Sequence, residues 1–333
     1  MNRRRLAAAG GAVVAAGALA WGGWAVERSA ARRLRADEHE LVEAGLSMPP
    51  EVIDHFIVAS DGARLHAVEA GEGPTVVLIH GVTLGATIFI PVIRHLMGTM
   101  RVIAIDLRGH GTSLVGDDGV SLERQAADLA EILEYLEVTH AVVVGHSMGG
   151  MIAQVLMASP DEALAHRVAH LILLSTSAGP LTIARGGRRI ASGLRRLAHR
   201  SLRRSVRRGH GIYPSEDAAT WLTRASFGRS PEPPAVELAR SLTQAASPAL
   251  VAKLLEPVLS FDGREALASI EVPTTVVVGS RDLLTPPRMA RLLHRGIAGS
   301  GMVTIKGAGH VVMLEAPEAL CDLIEAAVTS SVQ

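Results

Sequence analysis

Ser147 stands in Val142-Val143-Val144-Gly145-His146-Ser147-Met148-Gly149-Gly150, a G-x-S-x-G pattern between an apolar β-branched run and an apolar helical stretch, Ile152 to Met157. A serine on a sharp strand-to-helix turn presents its hydroxyl at the end of a sheet. Flanking glycines let the helix and the neighbouring strand approach its backbone. The chemistry open to it is nucleophilic attack on a carbonyl. A serine hydroxyl is a weak nucleophile, so it needs a base, and the base needs an acid to orient it. Val276-Val277-Val278-Gly279-Ser280-Arg281-Asp282 places a carboxylate a few residues beyond one strand-like run, and Lys306-Gly307-Ala308-Gly309-His310 places an imidazole beyond the next. Alone, Asp282 reads as a turn or cap residue, and His310 as one surface histidine among 14. The order serine, acid, histidine and the shared strand-end placement make them a candidate triad. A tetrahedral intermediate also needs two donors for its negative oxygen. The backbone N–H of Met148, next after the serine, is one. The N–H of Val82, in the loop His80-Gly81-Val82, is the other, and His80 itself reads as a structural loop residue.

These groups have to be held at one edge of a sheet, and the chain has the elements for it. Val52–Val58 and Leu65–Val68 predict a leading antiparallel pair around Ser60-Asp61-Gly62. Thr75–Ile79, Val102–Ile105, Ala141–Val144, Leu171–Leu174, Thr274–Val278 and Met302–Ile305 are continuous apolar runs suited to strands buried on both faces. Leu122, Ala126, Leu129, Leu133 and Leu136 sit at helical spacing behind a Ser121 N-cap. Pro317 opens a closing helix through Leu320, Leu323, Ile324, Ala327 and Val328. Alternating strands and helices predict a mainly parallel sheet covered on both faces. Residues 180–265 lack convincing strands and hold helical stretches broken by Pro214, Pro231, Pro233-Pro234, Pro248 and Pro257, which predicts a helical cap. The expected layout is 1–26 anchor or signal, 27–50 linker, 51–179 and 266–330 core, and 180–265 cap. Trp221 and Phe227 read as core residues of the cap, with pocket lining as the alternative.

The chain resembles the serine-nucleophile α/β-hydrolases, near the branch of cofactor-free haloperoxidases, perhydrolases and small esterases. The matching residues are His80-Gly81, Asp106-Leu107-Arg108-Gly109-His110-Gly111-Thr112-Ser113, Gly145-His146-Ser147-Met148-Gly149-Gly150, Asp282 and Gly309-His310. The resemblance spans residues 52 to 330. It implies the α/β-hydrolase fold, an acyl-enzyme route and a structural role for Asp106–Ser113, in which Gly109 and Gly111 suit a tight turn. Dehalogenases and epoxide hydrolases of similar sequence carry an aspartate nucleophile where this chain has Ser147, which disfavours those activities. Many relatives have a tryptophan soon after His-Gly. Here Thr83-Leu84-Gly85-Ala86-Thr87-Ile88-Phe89 follows, so an aliphatic acyl pocket is expected.

The expected function is a carboxylic-ester hydrolase, esterase- or lipase-like, for a hydrophobic acyl or lipid-like small-molecule ester. Thioesterase, acyltransferase, C–C bond hydrolase and haloperoxidase or perhydrolase chemistry are the alternatives on the same triad. A binding protein using the pocket as a receptor is the non-enzymatic alternative. No cofactor is needed, and no H-E-x-x-H pair occurs, so no metal is expected. Lys+Arg and Asp+Glu are both 33, which argues against a dedicated nucleic-acid binder. With 48% hydrophobic residues the chain is too apolar to be disordered, and its one cysteine, Cys321, excludes an internal disulfide.

Two regions point to a membrane. Asn2-Arg3-Arg4-Arg5 precedes an uncharged stretch from Leu6 to Val26, long enough as a helix, roughly 31 Å, to cross a bilayer. Ala18-Leu19-Ala20 suits signal cleavage, Arg3-Arg4-Arg5-Leu6-Ala7 resembles a twin-arginine signal, and Trp21 and Trp24 suit an interfacial anchor. The expectation is a cell-membrane protein held by one N-terminal anchor with the catalytic part outside the cytoplasm, or a secreted one after cleavage. Arg185 to Arg208 contains ten arginines and no acidic residue. Contact with an anionic membrane surface or an anionic substrate is the functional reading, and a solvated basic face the plain one.

Overall fold

The computed structural model describes residues 34–158, 166–180 and 216–331. The N-terminal anchor or signal and the arginine-rich segment lie outside the described residues. Eight strands form one sheet in the order β1-β2-β4-β3-β5-β6-β7-β8. They are β1 Ile53–Val58, β2 Arg64–Ala70, β3 Thr75–Ile79, β4 Arg101–Asp106, β5 Ala141–His146, β6 Val168–Leu174, β7 Thr274–Gly279 and β8 Gly301–Ile305. β2 pairs antiparallel with both β1 and β4, and every other pairing is parallel. Thr75–Ile79 coincides with β3, the run Val52–Val58 exceeds β1 by one residue, and the other apolar runs lie inside longer strands.

Alternation divides the strand residues between two apolar layers. Val77, Ile79, Ile103 and Val143 join one core with the helices Leu122–Tyr135 and Met148–Met157. Val76, Leu78, Val102 and Val142 join the other with the helices Ile90–Leu96 and Pro317–Ser331. Each such fully buried side chain contributes about 1.5–3 kcal/mol. Ser121 caps its helix by accepting the Arg124 N–H at 3.1 Å.

From β3 the chain crosses to β4 on one side and then returns to β5 on the other. The order reverses there, so the carboxyl ends of β3 and β5 meet at a switch point, the place where parallel sheets take their ligands. The loop His80-Gly81-Val82 leaves β3 at this point, and Ser147 leaves β5.

Between β6 and β7 the described residues form the helices Glu216–Arg224, Pro233–Ala245 and Pro248–Ser260. Pro231, Pro233-Pro234 and Pro248 stand where one helix has ended and the next begins, as their reading as breaks expects, but Pro257 does not break its helix. Pro233 and Pro248 occupy first turns, where no intrahelical N–H bond is lost, while Pro257 lies inside its helix. Residues 27–50, expected as a linker, hold a short helix, Glu38–Glu43, started by a reciprocal Asp37–Glu40 capping box. Phe227 is buried in the second core, as expected of a packing residue.

Candidate active site

All of β5 is buried, and at its end Ser147 turns with φ 52° and ψ −115°. A residue with a Cβ in this region stores on the order of 1–3 kcal/mol, so the surroundings must hold it there. The Ser147 N–H donates to the Leu174 carbonyl at 3.0 Å and its own carbonyl accepts the Gly150 N–H at 3.0 Å. The Thr176 hydroxyl donates to the same carbonyl at 2.6 Å. Gly149 is needed for close approach: a Cβ there would run into the Ile79 carbonyl and sit 2.7 Å from that of His80. The serine itself is half-buried.

Asp282 follows β7 and is 2% exposed. Its Oδ1 accepts the N–H groups of Leu284 at 2.9 Å and Thr285 at 2.8 Å. Its Oδ2 accepts the Thr285 hydroxyl at 2.7 Å and His310 Nδ1–H at 2.9 Å. Burial pushes the Asp282 carboxyl up, but the His310 ring and the Thr285 N–H and hydroxyl outweigh it and hold the group well below the usual carboxylate range. An ionised Asp282 fixes the His310 tautomer, leaving Nε2 free to accept a proton.

His310 is anchored from the serine side as well. His146 Nε2–H donates to the His310 carbonyl at 3.0 Å, and the two rings lie 4.8 Å apart. Because His146 directly precedes Ser147, this bond ties the histidine loop to the serine turn. Burial, then the nearby His310 ring, pushes the His146 pKa well below its ordinary value, so His146 stays neutral. Ser147 Oγ makes no hydrogen bond to His310 among the described residues; the two are neighbours through His146, and such bonds often tighten only with substrate.

The N–H groups of Val82 and Met148 meet no acceptor among the described residues, although Thr83 and Leu84 beside them are bonded. A Cβ on Gly81 would lie 3.0 Å from the Ser147 Cβ, so this loop passes directly over the serine. His80 is fully buried; its Nδ1–H donates to the Gly81 carbonyl at 2.7 Å and its Nε2 accepts the Leu107 N–H at 3.0 Å. It shapes the loop and has no lone pair left for a substrate proton. His110 Nε2 accepts the Thr83 N–H at 3.3 Å, and Asp106 accepts the Ala86 N–H at 2.7 Å and His66 Nδ1–H at 2.8 Å. The Asp106–Ser113 segment thus holds the loop from below. Ile88 and Phe89, in the stretch expected to supply an aliphatic pocket, pack instead into the core, with Leu84 partly buried against it.

Sequence reasoning missed Thr285, His146 and the His66–Asp106 pair. A hydroxyl three residues after Asp282 is a turn signal that could have marked Thr285. Nothing local marks the others. Among the described residues no group of three or more His, Cys, Asp and Glu is arranged to hold a metal. No helix among them is long and apolar enough to cross a membrane.

The alpha/beta hydrolase family model matches residues 76–323. The chain belongs to this family. This alpha/beta hydrolase is 28% identical over 273 residues to the AB hydrolase superfamily protein YisY of Bacillus subtilis, covering 81% of this chain and 97% of that one. It is 28% identical over 253 residues to the pimeloyl-acyl-carrier-protein methyl ester esterase of Neisseria meningitidis, covering 74% and 91%. Among solved structures, a thermophilic esterase from Thermogutta terrifontis superposes with a TM-score of 0.70 at 28% identity, covering 84% of this hydrolase and 99% of that chain.

Proposed function

We propose that this hydrolase cleaves carboxylic esters of hydrophobic acyl groups through a serine nucleophile and an acyl-enzyme. The observation that carries the reading is the Asp282–His310 hydrogen bond, tied by His146 to a serine held in a strained turn beside two N–H groups that meet no acceptor among the described residues. Ser147 Oγ attacks the ester carbonyl as His310 Nε2 takes its proton, and the Asp282 carboxylate stabilises the imidazolium. The N–H groups of Val82 and Met148 hold the oxyanion. The intermediate collapses as His310 returns the proton to the leaving alcohol. His310 then takes a proton from water, which attacks the acyl-serine, and returns it to Ser147 Oγ as the acyl–oxygen bond breaks and the acid leaves.

The esterase relatives support the ester as substrate class. The test is hydrolysis of p-nitrophenyl esters of graded chain length by the full chain and by Ser147→Ala. Activity should rise with acyl length and fall by orders of magnitude in the variant. Thioester cleavage, or transfer to an added alcohol, in place of ester hydrolysis would move the assignment to a thioesterase or acyltransferase. Equal activity in both proteins would overturn it.

We place the hydrolase at the membrane or outside the cell, on the Asn2–Val26 pattern, with Arg185–Arg208 meeting anionic lipid. Cell fractionation tests the first part. Binding to phosphatidylglycerol vesicles, unchanged by Ser147→Ala and lost at high salt, tests the second.

A further inference from the structure

The helical segment between β6 and β7 meets the histidine loop at a close backbone contact. The turn Ser226–Arg229, after the helix Glu216–Arg224, lies against Gly307–His310. The His310 N–H donates to the Ser226 carbonyl at 2.6 Å, and the Arg229 N–H to the Gly307 carbonyl at 3.4 Å. The contact is so close that only glycines fit. A Cβ on Gly309 would sit 2.5 Å from the Ser226 carbonyl oxygen, and one on Gly228 would overlap the carbonyl of Gly307.

One side chain spans this contact. Glu315 ends the short helix Val312–Glu315 that follows His310. Its Oε1 accepts the Gly309 N–H at 2.8 Å, and its Oε2 accepts the Gly228 N–H at 2.6 Å. Both oxygens are used, one on each segment. Arg224 fixes the far side of the turn by donating to the carbonyls of Gly228 and Arg229, each at 2.9 Å. Burial pushes the Glu315 carboxyl above its ordinary range, against the pull of the two N–H groups and of Arg224.

We propose that Glu315 is a positioning residue, whose carboxylate binds the cap turn and the backbone of His310 into one unit, so that the cap sets where the imidazole stands. The inference rests on His310 acting as the base. Cores and interfaces are packed to fixed geometry, and small displacements of a base cost rate steeply.

The test uses the full chain with p-nitrophenyl esters and hydrogen exchange read by mass spectrometry. Glu315→Ala removes both acceptors, and Glu315→Gln keeps one. In the alanine variant kcat should fall between about tenfold and about a hundredfold, with KM for a short-chain ester within about twofold. The glutamine variant should fall in between. Deuterium uptake should rise together in peptides covering 226–229 and 307–311. Should Glu315→Ala fail to fold, Glu315→Gln carries the test, and a folded glutamine variant with wild-type kcat and unchanged exchange in both segments overturns the proposal. A folded Glu315→Ala with wild-type kcat, or with faster exchange in one segment alone, overturns the proposal. Wild-type protein that hydrolyses no ester sinks the functional reading instead, and the exchange result still decides the coupling of the two segments.

Discussion

Replacing Asp282 by asparagine keeps the shape of the site and reverses one hydrogen bond. The asparagine carbonyl can keep the Leu284 and Thr285 N–H groups, which lie 2.9 and 2.8 Å from Oδ1. Its amide then takes the place of Oδ2, where the Thr285 hydroxyl and His310 Nδ1 now donate at 2.7 and 2.9 Å. The hydroxyl can rotate to accept. The ring can accept only by moving its proton to Nε2, and an Nε2–H cannot take the proton of Ser147. The lost attraction sets the magnitude. For unit charges 2.9 Å apart at an effective dielectric of about 20, it is about 6 kcal/mol. That corresponds to about four decades in rate. The folded state keeps its count of hydrogen bonds, so the melting temperature should move by only a few degrees. Steady-state ester hydrolysis and thermal unfolding of Asp282→Asn check both halves. A folded variant within about tenfold of wild-type kcat would refute the argument that Asp282 orients and stabilises His310.

Two further predictions concern groups beneath the site. The Arg108 side chain is fully buried between the carboxylates of Asp61 and Asp128, so Arg108→Met leaves Asp61 without its cation and Asp128 with Arg124 alone. That should cost about 3–5 kcal/mol and lower the melting temperature by about 6–20 °C, with partial recovery in the double variant with Asp61→Asn. An unchanged melting temperature would contradict the pairing. Burial, and then the neighbouring His80, pushes the His110 pKa down to about 3 from an ordinary 6.5. The unfolded chain therefore binds a proton on this residue before the folded one does, and stability present above pH 6.5 is lost as the pH falls toward 3. Urea unfolding across that range should show a shallower acid slope in His110→Gln, and identical slopes would contradict the assignment.

The sheet was legible because parallel strands buried on both faces are continuous apolar runs, as Thr75–Ile79 is from end to end. Strand ends were less so: β5 continues through Gly145 to His146, a histidine that hydrophobicity excludes but that donates to His310. In the cap Pro233 and Pro248 marked helix boundaries, because proline is tolerated at a first turn, whereas Pro257 misled, since it lies inside its helix. At the site, the triad candidates were readable because each lies just past a strand. Thr285 was readable in principle, three residues from Asp282. His146 and Glu315 were not, because their partners lie 164 and 87 residues away in the chain and only the folded backbone brings them together.

Covalent capture shows whether Ser147 is an activated nucleophile. Full-length wild type and Ser147→Ala are incubated with a fluorophosphonate probe, and the adduct is located by peptide mass spectrometry. One adduct is expected, on the peptide carrying Gly145-His146-Ser147-Met148-Gly149, and none in the variant. An unlabelled but folded wild type, or a label that survives Ser147→Ala, would contradict the activation of Ser147.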